Sequence, residues 1–437
     1  MRRYFGTDGI RGIINQDLVP DIAFKVGNAL SVLKRYPVVL IGRDTRQSGD
    51  TLALCLASGV CSGGGNVIDV GIVPTAGVAY LTKYFNADYG VVISASHNPA
   101  EYNGIKIFNS RGFKLLEDEE EEVESCFNTT NLISHPKLGS YKKMDTAVDF
   151  YVSYLVKTCG CDLSGLKVVL DCANGAAHYV APEVFKKLGA EVLQYFTENS
   201  GIGININCGS LHPEKLREKV LSKKADVGFA FDGDSDRLLA VNEKGEYVNG
   251  DLLIYALAKD MHVKGQLKGD MVIGTHHTNM GIQKALDSDG IKLFRADIGD
   301  KYVMEMMLKK DAVLGGEQSG HIILLDYMTT GDGILAAINI AGMMKKENKK
   351  LSEFCDVKMY PQTNINIQVK DKIRIMNNEE LAEFIDACRK ELGGSGRVLV
   401  RASGTEPQIR VMVECEYCDR GKETAERIAD FVRNINN

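Results

Sequence analysis

Residues 91–99 of the chain, Val-Val-Ile-Ser-Ala-Ser-His-Asn-Pro, change abruptly from apolar to polar. The apolar run predicts a buried strand, and the polar residues after it are expected at the rim of a sheet, where ligands bind. This places the hydroxyl of Ser96 beside the imidazole of His97, two groups that nucleophilic and acid–base chemistry use. A polar turn closed by Pro99 would need the same residues, so the interpretation depends on three further loops.

The second loop, Asp-Gly-Asp-Ser-Asp-Arg, follows the apolar segment Val227–Phe231. Its carboxylates, Asp232, Asp234 and Asp236, stand at alternate positions of a tight turn, where they repel one another unless a cation is bound. Ligands that are all oxygen favour Mg²⁺, Ca²⁺ or Mn²⁺ over zinc. A calcium-binding EF-hand is excluded, because Arg237 stands where that loop needs glycine and because the flanks have the pattern of strands. A solvated acidic turn is the remaining alternative.

The third loop, Gly-Gly-Glu-Gln-Ser-Gly-His, follows the apolar segment 311–314, which is predicted to be a strand. Its glycines let the backbone approach a ligand closely. Its polar side chains offer both hydrogen-bond donors and acceptors, as the hydroxyls of a polyol require. These side chains are Glu317, Gln318, Ser319 and His321. A simple turn would also explain the glycines.

The fourth loop, Arg-Ala-Ser-Gly-Thr-Glu-Pro at 401–407, has a further arginine just beyond it. Arginines, hydroxyls and free backbone N–H groups around a glycine form a phosphate nest. The candidate phosphate ligands are Arg401, Ser403, Gly404, Thr405 and Arg410. A polar turn before a strand is the alternative, although it needs neither two arginines nor two hydroxyls.

Together with the opening Phe5-Gly-Thr-Asp-Gly-Ile-Arg-Gly12, the four loops resemble the α-D-phosphohexomutase family, and the resemblance runs the length of the chain. With Gln318, the third loop is similar to the corresponding loop in the branch of that family that acts on an amino sugar. The branch that acts on mannose and glucose phosphates usually has methionine there. Lys301 departs from the family's usual arginine, and lysine lacks the planar fork for a bidentate phosphate contact.

The resemblance implies that Ser96 carries a phosphoryl group and donates it to the free hydroxyl of a bound sugar phosphate. The resulting hexosamine 1,6-bisphosphate is both intermediate and activator, and returning its other phosphate interconverts glucosamine 6-phosphate and glucosamine 1-phosphate. Mg²⁺ is the implied cofactor. Its ligands would be Asp232, Asp234, Asp236 and a phosphate oxygen on Ser96, and it would offset charge on the transferred group.

The resemblance also implies roles for the remaining candidates. His97, Lys106 and His321 would transfer protons, and Arg11 and Arg237 would clamp phosphate. Glu317 and Ser319 would hold sugar hydroxyls, while the nest would bind the phosphate that does not react. Purely structural roles stay open, since Lys106 alternates with isoleucines and could lie on the solvent-exposed face of a strand. Similarly, His97 could only cap its turn.

Other functions also remain open. The neutral-hexose branch of the family would use the same machinery on mannose or glucose phosphates. A phosphatase would instead use Asp232 as nucleophile, because an apolar strand followed by Asp-x-Asp also opens such enzymes. A catalytically silent sugar-phosphate sensor is the third alternative. Asp44 and Arg46, which follow the first strand, either approach the site or form a salt-bridged loop.

The elements that carry these loops form a weak internal repeat, in which strands and helices alternate. This alternation predicts three similar mixed α/β domains with mostly parallel sheets, and the remainder predicts a smaller C-terminal α+β domain. The predicted strands are 37–41, 66–70 and 89–93, then 166–170, 191–195 and 226–231, then 271–273, 291–295 and 311–314. The predicted domains are a phosphoserine domain at 1–150, a metal-binding domain at 151–248, a sugar-binding domain at 249–356 and a phosphate-binding domain at 357–437.

Composition limits the partners of the chain. A length of 437 residues is too great for one core. The net charge of −6 argues against nucleic acid and anionic membranes, so a small sugar phosphate must be bound by local arginines. No apolar run is long enough to span a bilayer, and the N-terminus has no signal-peptide pattern. The eleven cysteines lack zinc-site spacing, which indicates reduced thiols in a cytoplasmic protein. The sequence leaves a homodimer open.

Overall fold

The computed structural model describes residues 4–6, 8–128, 137–403 and 407–436. The chain forms two compact units. The first consists of Met1–Thr275 and Ile291–Asp356, and the second of His276–Gly290 and Val357–Asn437.

The first unit begins with a seven-stranded sheet and its flanking helices. The strands are β1 (Phe5–Gly6), β2 (Gly9–Ile13), β3 (Val38–Arg43), β4 (Asn66–Ile72), β5 (Tyr89–Ile93), β6 (Tyr102–Asn109) and β7 (Tyr141–Lys143). The helices are α1 (Pro20–Leu33), α2 (Gly49–Ser62), α3 (Thr75–Tyr84) and α4 (Glu117–Ser125), with a 3₁₀ turn at Cys126–Asn128. The sheet order is β1-β2-β6-β5-β3-β4-β7. Strands β5, β3 and β4 are parallel, whereas β6 is antiparallel to β5.

A second sheet follows in the same unit. Its elements are α5 (Ala147–Cys159), β8 (Lys167–Asp171), α6 (Ala177–Lys187), β9 (Glu191–Tyr195), α7 (Glu214–Lys223), β10 (Val227–Phe231), β11 (Leu238–Asn242) and β12 (Tyr247–Val248). The order is β12-β11-β10-β8-β9. Strand β10 runs parallel to β8 and antiparallel to β11. The second loop, residues 232–237, is therefore the turn of a hairpin and is called the acidic loop below.

The third sheet has the order β14-β13-β15-β16. Its elements are α8 (Gly250–Val263), a 3₁₀ turn (Lys268–Asp270), β13 (Met271–Thr275), α9 (Met280–Ser288), β14 (Lys292–Ala296), α10 (Asp300–Lys310), β15 (Leu314–Gly316), β16 (Ile322–Leu324), α11 (Gly333–Glu347) and α12 (Leu351–Phe354). Helix α9 lies in the second compact unit, although β13 and β14 on either side of it belong to the first.

The same four-strand order recurs in all three sheets, as β6-β5-β3-β4, β11-β10-β8-β9 and β16-β15-β13-β14. In each case a hairpin turn follows the last parallel strand, and that turn carries the polar loop. The carboxyl ends of parallel strands meet at one edge of a sheet, where ligands gather. The predicted α/β class with three similar mixed domains is therefore confirmed.

The remaining residues of the second unit form an antiparallel sheet of order β17-β19-β18 with helices beside it. The elements are β17 (Gln362–Gln368), α13 (Lys372–Met376), α14 (Glu379–Leu392), a 3₁₀ turn (Gly393–Ser395), β18 (Gly396–Ala402), β19 (Gln408–Cys415) and α15 (Cys418–Asn436). Helix α15 buries an apolar stripe that includes Ala425, Ile428 and Val432. This is the α+β module that the sequence predicts.

One predicted strand is wrong. The segment 311–314 was expected to be the last strand of the third sheet, but that strand is Leu314–Gly316. Asp311 has a φ of 59° and ends helix α10 in the left-handed conformation, and Ala312 and Val313 belong to the connection after it. Their apolar side chains are buried there without forming a ladder. The other eight predicted strands agree with the structure to within two residues at each end.

A buried carboxylate joins helices α5 and α11 inside the first unit. The Tyr151 hydroxyl donates to Asp332 Oδ2 over 2.6 Å, and Asp332 Oδ1 accepts from the Ile334 and Leu335 N–H groups at the start of α11. Burial raises the pKa of Asp332 to about 6, against these hydrogen bonds, which lower it. The folded state therefore favours the protonated carboxyl below this pH.

A carboxyl whose pKa is raised on folding stabilises the protein when it is protonated. That contribution is complete below the unfolded pKa, near 4, and is lost as the pH rises through about 6. We expect the free energy of unfolding of the wild type, relative to Asp332→Asn, to fall by about 3 kcal/mol over this window. Urea unfolding followed by circular dichroism between pH 4 and 7 would measure the difference. Asp21→Asn, at an exposed helix start, is the control, and parallel wild-type and Asp332→Asn curves would contradict the assignment.

Candidate active site

Strand β5 delivers Ser96 to the edge of the first sheet, where it is 1% exposed. Its φ of 51° lies in the left-handed region, which costs a residue with a side chain about 1–2 kcal/mol. The Ser96 hydroxyl donates to Asp232 Oδ2 over 2.6 Å, and His97 Nδ1 lies 3.2 Å from Ser96 Oγ. The structure thus brings the first and second loops together at one hydroxyl group.

The hairpin turn between β10 and β11 holds Asp232, Asp234 and Asp236, all three buried. One oxygen from each lies within 4.8 Å of the others, and no other cluster of this kind occurs in the part of the chain that the structure describes. Oδ1 of Asp234 and Oδ1 of Asp236 are buried without a hydrogen-bond partner. Buried oxygens without donors fit a hard cation, so these residues could hold a metal.

The acidity of these carboxyls reflects their crowding. Burial, together with Asp236 and Asp234, raises the pKa of Asp232 well above its usual range. Burial has the same effect on Asp236, but Lys106, His321 and Arg237 overcome it and hold the pKa of Asp236 well below the usual range. The Thr75 hydroxyl donates to Asp234 Oδ2 over 2.7 Å.

Lys106 supplies the central positive charge. It lies on β6 opposite Val92 of β5 and is 1% exposed, so the alternative that Lys106 lies on the solvent-exposed face of a strand is wrong. Its ammonium is 2.9 Å from Asp234 Oδ2, 3.3 Å from Asp236 Oδ2 and 3.1 Å from Asp8 Oδ2. Burial lowers the pKa of Lys106, but these carboxylates raise it well above its usual value.

Asp8 and Asp300 extend the charge network to the third sheet. Lys114 contacts Asp8 Oδ1 at 2.6 Å and pairs with Asp300, the first residue of α10. Burial lowers the pKa of Lys114, but Asp300 and Asp8 outweigh it and hold this pKa well above its usual value. Burial likewise raises the pKa of Asp8, while Lys106, Lys114 and Arg11 hold it well below the usual range. Alternating charges therefore connect the first and third sheets.

The two predicted arginine clamps border this cluster. Arg11 pairs with Asp8 and donates to Asn98 Oδ1 over 3.3 Å, beside the Ser96 loop. The Arg237 N–H donates to Asp232 Oδ1 over 3.2 Å, and its Nε lies 4.0 Å from Asp236 Oδ1. Both side chains are only partly exposed, so their charges act in a region of low dielectric.

His321 is enclosed by protein groups. Its Nε2 accepts a hydrogen bond from the Gly331 N–H over 3.1 Å and lies 3.8 Å from Asp300 Oδ2. Its Nδ1 lies 3.8 Å from Asp236 Oδ2, and the residue is 3% exposed. A ring with both nitrogens turned toward protein groups is suited to holding the acidic loop and α10 in place.

The other residues of the third loop differ in exposure. Glu317 is half-buried, and one of its oxygens accepts from the Gly299 N–H over 3.1 Å. Burial raises the pKa of Glu317, and Asp300 adds to this while His321 and Arg237 oppose it. Ser319 lies exposed at the turn. Lys301, which replaces the expected arginine, pairs with Glu117 of α4.

In the second unit, two arginines of the predicted phosphate nest lie opposite each other. Arg401 of β18 is paired in register with Arg410 of β19. Burial and Arg410 lower the pKa of Arg401. Ser403 is 2% exposed, and its carbonyl accepts from Lys372 Nζ. Gly404 and Thr405 lie outside the described residues. Like charges directly opposite in a sheet are destabilising unless an anion joins them.

His277 belongs to the same cationic cluster, which the sequence did not indicate. Its carbonyl accepts from Gln362 Nε2, and the neighbouring Thr278 carbonyl accepts from Arg397. Burial, with Arg401, Arg397 and Arg410, lowers the pKa of His277 to about 4.

Sequence reasoning also missed Asp8, Lys114 and Asp300. A signal existed for Asp8, which lies inside the opening motif that was used only as a family marker. Lys114 and Asp300 are 186 positions apart, and nothing in their local sequence indicates that they meet. Their contact depends on how two sheets pack together.

Four family models match consecutive parts of the chain. All are described as phosphoglucomutase/phosphomannomutase domains: the α/β/α domains I (2–133), II (149–245) and III (249–360), and the C-terminal domain (365–432). A phosphoglucosamine mutase from Caldanaerobacter subterraneus subsp. tengcongensis is 46% identical, and the match covers 100% of both chains.

Solved structures agree with the fold. A phosphoglucomutase/phosphomannomutase family protein from Burkholderia thailandensis superimposes with a TM-score of 0.83 at 25% identity, covering 99% of this chain and 98% of that one. Aspergillus fumigatus N-acetylphosphoglucosamine mutase, solved in complex with GlcNAc-6P and magnesium, gives a TM-score of 0.70 at 16% identity. That match covers 100% of this chain and 96% of the other.

Because Lys106 balances several buried carboxylates, its removal should expose their repulsion. We expect Lys106→Met to lose about 3–5 kcal/mol of stability, the usual cost of leaving a buried ion pair without one partner. Millimolar MgCl₂ should restore part of the loss, since the cation replaces charge at the same oxygens. Thermal melts in EDTA and in MgCl₂ would measure both effects. Lys143→Met, at an exposed lysine, is the control, and a Lys106→Met melt equal to the wild type would refute the charge balance.

Proposed function

The chain belongs to the phosphoglucomutase/phosphomannomutase family, and we propose that it interconverts glucosamine 6-phosphate and glucosamine 1-phosphate. The observation that carries the proposal is the buried Ser96 hydroxyl, which lies 2.6 Å from Asp232 within the acidic cluster. The full-length similarity to a phosphoglucosamine mutase supports the amino sugar as substrate. A serine phosphate ester survives in water, whereas an aspartyl phosphate hydrolyses readily, so Ser96 suits a stored phosphoryl group.

The reaction consists of two phosphoryl transfers. In the first, the bond between Ser96 Oγ and phosphorus breaks, and a bond forms from that phosphorus to the free hydroxyl oxygen of the sugar phosphate. The proton of that hydroxyl passes to a base on the enzyme, and Ser96 Oγ takes up a proton as it leaves, which restores the serine hydroxyl. The product, glucosamine 1,6-bisphosphate, reverses its orientation and returns its other phosphoryl group to Ser96. Bisphosphate from solution activates the enzyme by loading Ser96 in the same way.

His97 is the base that the geometry favours. Its Nδ1 lies 3.2 Å from Ser96 Oγ, within reach of a proton that moves at this oxygen. Burial, Arg237 and Arg11 lower the pKa of His97 to about 4, which keeps its imidazole neutral near pH 7. Lys106 keeps its proton because its pKa is raised, so it contributes charge beside the transferred group. His321, with both nitrogens turned toward protein groups, positions the acidic loop.

The acidic cluster fits Mg²⁺, since its donors are all carboxylate oxygens and two of them lack a partner. Asp232, Asp234 and Asp236 would hold the ion, with an oxygen of phosphorylated Ser96 as a further ligand. Bound there, Mg²⁺ would supply positive charge that lowers the energy of the transferred phosphoryl group.

The remaining contacts bind substrate. Glu317 and Ser319 hold sugar hydroxyls, and Arg11 and Arg237 stabilise phosphate charge beside the acidic loop. Arg401, Ser403, Gly404, Thr405 and Arg410 bind the phosphate that does not react. The paired arginines support this role, because a dianion relieves their repulsion through charge-assisted hydrogen bonds.

We place the enzyme in the cytoplasm. All eleven cysteines carry free thiols, as reduced surroundings allow. Among the described residues no helix is long and apolar enough to cross a membrane. The domain boundaries at 150, 248 and 356 and the homodimer remain predictions.

The first test compares kcat/KM for glucosamine 1-phosphate, glucose 1-phosphate and mannose 1-phosphate, with Mg²⁺ and the matching bisphosphate. We expect glucosamine 1-phosphate to be preferred, and Ser96→Ala to lower its kcat/KM by about 10³-fold or more because the phosphoryl carrier is gone. Ser125→Ala, at an exposed serine, is the control and should match the wild type.

Other outcomes separate the alternatives. Faster turnover of glucose or mannose phosphate would keep the mechanism and assign the enzyme to the neutral-hexose branch. Activity that survives in Ser96→Ala but is lost in Asp232→Asn would indicate a phosphatase with an aspartate nucleophile. If the wild type and all variants bind a sugar phosphate but none converts it, the remaining hypothesis is a sugar-phosphate sensor.

The arginine pair gives a second test. Arg401→Leu removes the repulsion from Arg410, so we expect the free protein to melt at the same temperature or slightly higher. The same change should raise KM for the sugar phosphate about tenfold or more, because a charge-assisted hydrogen bond to phosphate is lost. Melting curves with and without phosphate, together with steady-state kinetics, measure both. Arg433→Leu, on the exposed face of α15, is the control, and an unchanged KM for Arg401→Leu would contradict the nest.

A further inference from the structure

Arg46, in the loop after β3, is one of the largest fully buried side chains of the protein. All five N–H groups of its guanidinium have acceptors. Nε donates to Asp44 Oδ2 over 2.9 Å, and both side chains are 0% exposed. The other four donate to the carbonyl oxygens of Ser96, Asn98, Pro99 and Tyr102. The first three residues belong to the loop between β5 and β6 that carries Ser96, here called the nucleophile loop, and Tyr102 begins β6.

The nucleophile loop is held at both ends of the Ser96 residue. The Ser96 N–H donates to Ser94 Oγ over 2.9 Å, and that hydroxyl donates to Asp44 Oδ2 over 2.6 Å. The Ser96 carbonyl is bound by Arg46 Nη2 over 2.9 Å. Asp44 and Arg46 therefore reach the two sides of the same left-handed residue. A strained backbone conformation persists where the surroundings over-determine it in this way.

The second sheet closes the arrangement from the other side. Asn205 Nδ2 donates to the Ser96 carbonyl over 2.9 Å and to the Asn98 carbonyl over 3.2 Å. A Cβ placed on Gly233, inside the acidic loop, would lie 2.5 Å from the Ser96 oxygen. The acidic loop and the nucleophile loop thus pack backbone to backbone. A side chain at position 233 would therefore displace the Ser96 carbonyl.

We propose that Arg46 is a positioning residue for phosphoryl transfer, which holds Ser96 in the orientation that accepts and donates the phosphoryl group. The inference rests on the proposed function, since it assigns Arg46 to the transfer at Ser96. By drawing four carbonyl oxygens to its guanidinium, Arg46 also keeps these partial negative charges directed inward. Anionic phosphoryl oxygens bound at Ser96 then meet less repulsion.

Lysine cannot replace this arginine. An ammonium has three donors at one point, whereas the guanidinium presents five in a fixed plane. Arg46→Lys keeps the charge and most of the stem but leaves at least two of the five acceptors without a donor from this side chain. The Ser96 hydroxyl should then lose alignment with the acidic loop, while the sugar-binding residues stay unchanged. The expected signature is slow phosphorylation of Ser96 with an unchanged KM.

The experiment measures single-turnover transfer from glucose 1,6-bisphosphate to the dephosphorylated full-length enzyme, by rapid quench and intact mass. We expect Arg46→Lys to slow the transfer about 100-fold, the usual effect of a misplacement near 1 Å, with KM within about threefold of the wild type. Arg46→Ala should be slower still and should recover about tenfold in guanidinium chloride at low concentration, because the ion refills the site. Methylammonium chloride at equal ionic strength should not rescue it, and Arg35→Lys at an exposed arginine should match the wild type.

Each other result overturns one conclusion. Wild-type enzyme that takes no phosphate onto Ser96 would refute the proposed function itself. Wild-type enzyme that is phosphorylated at the same rate as folded Arg46→Lys would refute the role of Arg46 alone. An Arg46→Lys protein that does not fold would show that Arg46 supports the whole domain, and the specific positioning role would fall. A rise in KM without loss of transfer rate would also exclude it.

Discussion

One buried lysine, Lys106, lies within 3.3 Å of carboxylate oxygens of Asp8, Asp234 and Asp236, and the cost of enclosing these charges constrains how the sheets of the first unit meet. A buried carboxylate without a partner costs several kcal/mol, so cations must accompany it into the interior. Lys106 lies on β6 and Lys114 lies in the loop after it. Arg237 lies in the hairpin turn between β10 and β11 of the second sheet. The contacts that balance charge are therefore also the contacts that join the sheets. A substitution there changes stability and chemistry together.

The three sheets use one scaffold for three tasks. Each ends its last parallel strand in a hairpin turn, and only the turn sequence differs: a hydroxyl and imidazole, three carboxylates, or a glycine-rich polar loop. Strand order places every turn at a carboxyl edge, and packing of the sheets turns the edges toward each other. Ser96 Oγ and Asp232 Oδ2 are 136 positions apart in the chain and 2.6 Å apart in space. Short turns on rigid strands suit a reaction that needs alignment of the acceptor and the leaving group.

The sequence predicted what depends on local pattern. Strand–helix alternation predicted the sheets, and apolar runs that end in polar residues indicated Ser96 and the three aspartates as site candidates. The nest was predicted from arginines and hydroxyls around a glycine. The prediction failed at 311–314, where buried apolar residues connect a helix to a strand, because burial alone does not distinguish strand from connection. It also missed Lys114 and Asp300, and it could not decide what Arg46 does. Those roles arise from contacts between segments that are distant in the chain. A local sequence pattern does not indicate which charged side chains pair in the folded protein.

The residue that separated two family branches in the sequence, Gln318, contacts the start of helix α8. Gln318 accepts from the Gly250 N–H through its carbonyl, and its side-chain nitrogen lies 3.5 Å from Asp251 Oδ2 at the start of α8. It therefore anchors the sugar loop to a helix. Glu317, beside it, is the charged group of that loop, and the Gly299 N–H fixes one of its oxygens. An ammonium at the 2-position of the sugar would gain from Glu317 a charge-assisted hydrogen bond that a hydroxyl cannot match. In the proposed function, Glu317 would therefore favour an amino sugar over a neutral hexose.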